Sequence, residues 1–342
     1  MVRDERPRFV GLLTIMKATR RLGLLRALAA SALAVGLVPA SDVRANASRP
    51  ASSNATTTTS LATNAPAPIC VVTGNLKRCA PWRRRDPWST GNSIYTNAFA
   101  VGASQPGVVA YAAWIQSATT DLALYPGYEG PGATTLPRGP EEVPPSARGR
   151  LLATFNAGFY ETDARAGFYV QHTLYFPMIR GLATVVRYAN GRVDVVSWHG
   201  GARPGPSVVM ARQNLPLLVS NGRASPLSAK NTAWGLTLHG VAAVWRTALG
   251  VDAGGNLIYV AAPNQTSASL ARLLVQMHVV RAMQLDINPE WPIFVTYGAP
   301  GAVGATLFVP NPNQIPGRFL YPSTKDFFAV YASRRPGEAQ PW

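Results

Sequence analysis

Ala183-Thr184-Val185-Val186-Arg187-Tyr188-Ala189-Asn190-Gly191-Arg192-Val193-Asp194-Val195-Val196-Ser197-Trp198 is the stretch that decides the fold class. Two runs rich in β-branched residues flank Asn190-Gly191, a pair suited to a type I′ hairpin turn, in which both central residues take φ > 0. The pattern returns twice. Leu217–Val219 leads into Asn221-Gly222 and Arg223, and Thr247–Asp252 leads through Gly254-Gly255 to Asn256–Ala262. One segment has helical spacing instead: Leu270, Leu273, Leu274 and Met277 recur on one face, with Ser267 placed to cap the helix. It runs into a further strand, Ala282–Asp286, and the last apolar run is Phe327–Tyr331. With 30 Gly and 29 Pro among 342 residues, turns are plentiful. The class expected is α+β, a mostly antiparallel or mixed β-sheet built from hairpins with few packed helices.

Outward from these hairpins, composition narrows the function. The chain carries a net charge of +16, yet is 47% apolar and only 14% charged, which excludes a wholly disordered chain or a long coiled coil. Part of the charge sits at the front. Basic residues from Lys17 to Arg26 precede an uncharged run, Ala27–Ala40, and then Ala45 and Ala47 in an A-x-A arrangement. That order is the signature of an export signal, and the run is shorter than the ~20 residues a spanning helix needs. Residues 1–45 are therefore read as a signal peptide, with the mature protein secreted or held in the cell envelope. Residues 46–68 are nearly all Ala, Ser, Thr, Asn and Pro, a linker with too little apolar surface to offset its ordering entropy. Residues 69–149 are read as an N-terminal β-rich part. Its Cys70 and Cys79, the only cysteines, flank Gly74-Asn75 and are expected to form a disulfide in an oxidising compartment. Trp82-Arg83-Arg84-Arg85-Asp86-Pro87-Trp88 is basic and aromatic, but no nucleic-acid module or repeat accompanies it. It is read as a solvated loop with packed Trp, no nucleic acid is expected as a partner, and an anionic envelope surface is a lesser option.

Catalytic stock is limited. The four histidines, His172, His199, His239 and His278, fall in no metal-binding spacing, and there is no C-x-x-C, G-x-S-x-G or P-loop. No metal and no cofactor are expected. Carboxylates remain. Asp286 and Glu290, in Leu285-Asp286-Ile287-Asn288-Pro289-Glu290-Trp291, close an apolar strand and enter a turn. A strand that delivers an Asp to its rim suits an active site, and an Asx turn capping the strand end suits the same spacing.

At this point the chain resembles the phosphodiester glycosidase family. Thr154-Phe155-Asn156-Ala157-Gly158-Phe159-Tyr160 is similar to that family's N-G-G-F-F signature. Arg246-Thr247-Ala248-Leu249-Gly250-Val251-Asp252 is similar to its R-T-A-I-G segment, and Arg281–Asp286 to the approach to its L-D-G-G-G-S motif. Here Leu285-Asp286-Ile287-Asn288-Pro289-Glu290-Trp291 stands in place of that last motif, resembling a divergent bacterial, actinobacterial branch. The resemblance implies a phosphodiester glycosidase-like domain over 150–334, followed by a tail over 335–342. It also implies hydrolysis of the bond between a sugar's anomeric carbon and a phosphodiester, in sugar-phosphate polymers or glycolipids of the envelope.

By the same resemblance Asp286 is the base or nucleophile, Arg246 the phosphate anchor and Asn156 the residue that positions sugar or phosphate. Glu290 is a second candidate carboxylate, and Gly158, Tyr160, Asn288 and Trp291 are candidates for substrate binding. A non-catalytic glycan-binding protein on the same fold is the alternative, because fold does not fix function.

Overall fold

The computed structural model describes residues 65–334, with 74, 75, 90, 236, 238 and 239 excepted. The export segment, most of the linker, the tail and His239 lie outside the described residues. Strands Val244–Val251 and Leu257–Gln265 stand at the centre of an eight-stranded sheet. Val109–Ile115, Ile94–Ala100 and Arg83–Arg84 extend it on one side, and Arg281–Gln284, Leu217–Ser220 and Arg223–Ala224 on the other. A five-stranded sheet runs in the order Val303–Leu307, Phe294–Ala299, Leu151–Asn156, Phe327–Ala332, Thr120–Tyr125. A second five-stranded sheet is built on the Ala183–Tyr188 and Val193–Ser197 hairpin. Pairing is antiparallel throughout these sheets. The fold is thus mostly antiparallel β with few helices, the coarser part of the expectation.

Side-chain alternation explains the layering. Leu249, Val251, Leu257, Tyr259 and Ala261 face a core shared with Phe155, Phe294 and Phe328 of one five-stranded sheet and Phe168, Val185 and Val195 of the other. The alternate residues Ala248, Ile258, Val260 and Ala262 pack against Leu270, Ala271, Leu273 and Leu274 of helix Ser267–Gln276. Strands covered on both faces read as unbroken apolar runs, which is why this region looks buried in the sequence. Strands from 69–149 share sheets with strands from 150–334: Val109–Ile115 pairs with Leu257–Gln265, and Thr120–Tyr125 with Phe327–Ala332. The boundary expected near 149 therefore falls within the sheets rather than between two bodies.

Two local expectations are corrected. At Asn190-Gly191 only Gly191 takes positive φ (86°); Gly191 N donates to Tyr188 O and Tyr188 N to Arg192 O, a three-residue loop instead of type I′. At Asn221-Gly222 both residues are positive (50° and 68°), as type I′ requires. The helix cap is Thr266, one residue before the expected Ser267. Its hydroxyl accepts from Ser269 N while Ser269 Oγ accepts from Thr266 N, a complete capping box. Ser267 instead donates its hydroxyl to Ser228 O.

Cys70 and Cys79 are bonded across directly paired positions of the Ile69–Thr73 and Leu76–Ala80 hairpin. Cys70→Ser should lower unfolding free energy by about 2–3 kcal/mol on the chain-entropy account, measured by denaturant titration with and without reductant. The disulfide suits a location outside the cytoplasm. Among the described residues no helix is long and apolar enough to cross a membrane.

Candidate active site

Four chain segments meet at one end of the sheets. Strand Leu151–Asn156 leaves its sheet into Ala157–Tyr160, and Arg281–Gln284 continues into Asp286. The pairing with Val244–Val251 persists past the strand end: Leu285 N donates to Thr247 O (2.8 Å) and Thr247 N to Asp286 O (3.1 Å). The backbone carrying Asp286 is therefore clamped. Asp286 is 2% exposed. Oδ1 accepts from Asn288 N at 3.0 Å, an Asx turn, and Oδ2 lies 2.8 Å from Lys325 Nζ. Both readings of this spacing thus hold together, a capped strand end and a carboxylate that lines a cleft.

Lys325 was not singled out in the sequence. It stands in Ser323-Thr324-Lys325-Asp326, directly before the terminal strand Phe327–Ala332. Besides Asp286, its ammonium faces the rings of Tyr160 (3.8 Å to the centroid) and Trp291 (5.4 Å). An ammonium between a carboxylate and two aromatic faces keeps its charge compensated away from bulk water. Its neighbour Asp326 holds Arg212 through Oδ2–Nε at 2.8 Å, and both side chains are fully buried. Arg212 Nη2 also donates to Phe159 O at 2.5 Å, tying the Ala157–Tyr160 segment to the same anchor.

The resulting cleft, about 610 Å³, is lined by Asp286, Lys325, Tyr160, Asp163, Asn288 and Trp291 together with an apolar set. Burial, then the charges of Glu129, Asp326 and Asp286, push the Tyr160 phenol up from its usual value, so it stays protonated and able to donate. Its hydroxyl now donates to Glu129 Oε2 at 3.4 Å.

The remaining expected site residues are placed differently. Arg246 is fully buried and does not line the cleft. Nε donates to Gln265 O, Nη1 to Trp234 O and Gln284 Oε1, and Nη2 to Asn231 Oδ1. With its donors turned inward onto neutral acceptors, it cannot hold a phosphate in the cleft; burial pushes its pKa down to about 10, still charged at neutral pH. It braces the Asn231–Trp234 turn that precedes Gly235, a cleft residue. Arg246→Lys keeps charge but loses the planar fork, and should cost about 1–3 kcal/mol of stability by thermal melts, with a smaller change in substrate affinity.

Asn156 is likewise a brace. Nδ2 donates to Thr247 Oγ1 (3.0 Å), which donates to Asp286 O (2.7 Å), while Oδ1 accepts from Tyr259 OH (2.9 Å). It therefore reaches Asp286 only through Thr247. Gly158 packs on Asn214, whose amide a Cβ there would meet at 3.2 Å. Asn214 in turn donates to Gln284 O, so a side chain at 158 would disturb the strand leading to Asp286. Glu290 is exposed and outside the cleft lining, because the turn that buries Asp286 points it to solvent. Asn288, Tyr160 and Trp291 do line the cleft.

Residues 149–286 match the phosphodiester glycosidase family model. The match takes in Asn156, Arg246 and, as its last residue, Asp286; it supports a glycosidase-type function. Lys325 lies beyond it. No curated protein matches the chain. Among solved structures, the zebrafish N-acetylglucosamine-1-phosphodiester alpha-N-acetylglucosaminidase catalytic domain, auto-inhibited by its pro-peptide, aligns at 15% identity and TM-score 0.48. The alignment covers 75% of this chain and 88% of that one. A hypothetical protein from Synechocystis aligns at 14% identity and TM-score 0.42, over 74% of this chain and 64% of its own. A putative exported protein from Burkholderia pseudomallei K96243 aligns at 14% and 0.35, over 66% and 74%.

Proposed function

We propose that the chain is an exported hydrolase that cleaves the bond between a sugar's anomeric carbon and a phosphodiester in envelope glycans or glycolipids. The observation that carries this reading is the Asp286–Lys325 pair on the wall of an aromatic-sided cleft. A phosphodiester leaves as a stable anion, so one carboxylate suffices where an ordinary glycoside needs two. Asp286 acts at the anomeric carbon, as nucleophile or as base toward water. Lys325 is the phosphate anchor in place of Arg246, its ammonium shared between the carboxylate and a phosphate oxygen. Tyr160 donates its hydroxyl to the phosphate or to a sugar hydroxyl, and Trp291 offers an aromatic face to the ring.

The test is release of phosphomonoester from a panel of sugar-1-phosphodiesters. Release is expected for at least one member; saturable glycan binding with no release across the panel would favour the non-catalytic, glycan-binding reading. Export rests on the order of residues 17–47, and the same division assigns 1–45 to the signal, 46–68 to a linker and 335–342 to a tail. The intact mass of exported protein should correspond to a chain beginning near residues 45–47. A mass that retains Lys17–Ala40 would make that segment an anchor.

A further inference from the structure

Half of the cleft is unsuited to a sugar. Val241, Val244, Ile287 and Pro289 line it, with Phe159 beside them. Val241 is 50% exposed and Pro289 exposed, so these two are open to a ligand, with Val244 half-buried and Ile287 buried behind them. The wall is also built. Residues 235–244 carry no acidic residue and no Lys or Arg. Gly235, at φ +97°, lies against Phe159 and Ile287, either of which a Cβ there would meet at 2.9 Å. Asn231 Nδ2 donates to Ala242 O at 2.9 Å, and Trp234 O is held by Arg246, so Ala242 and the residue before Gly235 are both held. The charged groups of the cleft, Asp286, Lys325 and Asp163, lie on its other residues with Tyr160, Asn288 and Thr162, and the aliphatic wall carries a single hydroxyl, that of Thr237.

We infer that the group beyond the phosphate is an alkyl or isoprenoid chain, so that the substrate is a lipid-linked sugar phosphodiester; this rests on the phosphodiester glycosidase reading. Hydroxyls of a second sugar laid on Val241, Val244 and Pro289 would lose water with only the Thr237 hydroxyl nearby to replace it. Methylenes gain there, about fourfold in affinity for each one fully buried. Lys325 places the only cleft ammonium where the anionic end of such a molecule is held. In the reaction the anomeric C–O bond breaks and its electron pair stays on the phosphate oxygen. Water supplies the hydroxyl to the sugar and a proton to the released alkyl phosphate. That product should itself bind.

The first measurement is calorimetric titration of the full chain with n-octyl phosphate, below its micelle threshold, and with methyl phosphate. Octyl phosphate should bind at least ~10-fold tighter, a margin well inside what a few buried methylenes provide. Val241→Ser, at a half-exposed position that folding tolerates, should narrow the octyl-to-methyl ratio at least ~3-fold. Equal binding of the two phosphates, or a ratio untouched by Val241→Ser, would overturn the inference. The second measurement compares hydrolysis of octyl, glyceryl and methyl diesters of one sugar-1-phosphate. Octyl preference in kcat/KM supports the inference, and equal or glyceryl-favouring cleavage overturns it while leaving the hydrolase reading in place. If no diester is cleaved but octyl phosphate is still preferred, the hydrolase reading fails and the alkyl-phosphate site stands.

Discussion

Asp286→Asn is expected to lower turnover at least ~100-fold while leaving the protein folded. The substitution keeps the shape of the side chain, and the amide oxygen can still accept from Asn288 N, so the Asx turn survives. The backbone clamp to Thr247 does not involve the side chain and also survives. What goes is the negative charge proposed to act at the anomeric carbon, which is also the partner of Lys325. Loss of that charge leaves Lys325 more available to phosphate, so KM should stay level or fall as kcat drops. That split separates a reacting carboxylate from one that merely holds the pocket together. Lys325→Gln should show the complementary pattern, a raised KM with a lesser loss in kcat. Turnover at the wild-type level in Asp286→Asn would move the role to Asp163, the other carboxylate lining the cleft, and not to the solvent-facing Glu290.

The legible and the illegible parts of this site differ in a physical way. Asp286 could be found because a strand ends in an acidic residue with Asn288-Pro289 two residues on, and both periodicity and turn chemistry are local. The hairpins were legible for the same reason, although turn type was not: whether Asn190 takes positive φ depends on loop length, which cross-strand register sets. Arg246 shows the opposite limit. Its motif marks an arginine, but its four acceptors come from Gln265, Trp234, Gln284 and Asn231, and only the folded chain shows the guanidinium turned away from the cleft. Lys325 has no pattern of its own. Its one local signal is a pair of charges, Lys325-Asp326, placed immediately before an apolar strand that is buried along nearly its whole length. Charges entering a fully buried strand must have partners, and each of these two has one.

Asp326→Asn should be the most destabilising single change in the site, by about 3–5 kcal/mol. Arg212 and Asp326 are both fully buried, and the two-point contact between guanidinium and carboxylate compensates the cost of dehydrating them. Removing the acid charge leaves the guanidinium buried among Gln213 O and Phe159 O, which supply dipoles but no counter-charge. The melting temperature should fall by roughly 10 °C for a domain of this size. Charge loss and shape change can be told apart. Arg212→Met combined with Asp326→Leu removes both charges at similar volume and should recover a large part of the lost stability, since a buried pair replaced as a whole is often nearly neutral. Activity should not follow stability in the double variant. Arg212 Nη2 holds Phe159 O, next to Tyr160, and Asp326 directly follows Lys325, so Tyr160 and Lys325 on the cleft wall lose their common anchor. A double variant that is stable, folded and fully active would show that the Tyr160–Lys325 contact does not depend on this pair. A stable double variant with raised KM and little change in unfolding free energy would show that the pair aims the cleft's phosphate-binding side.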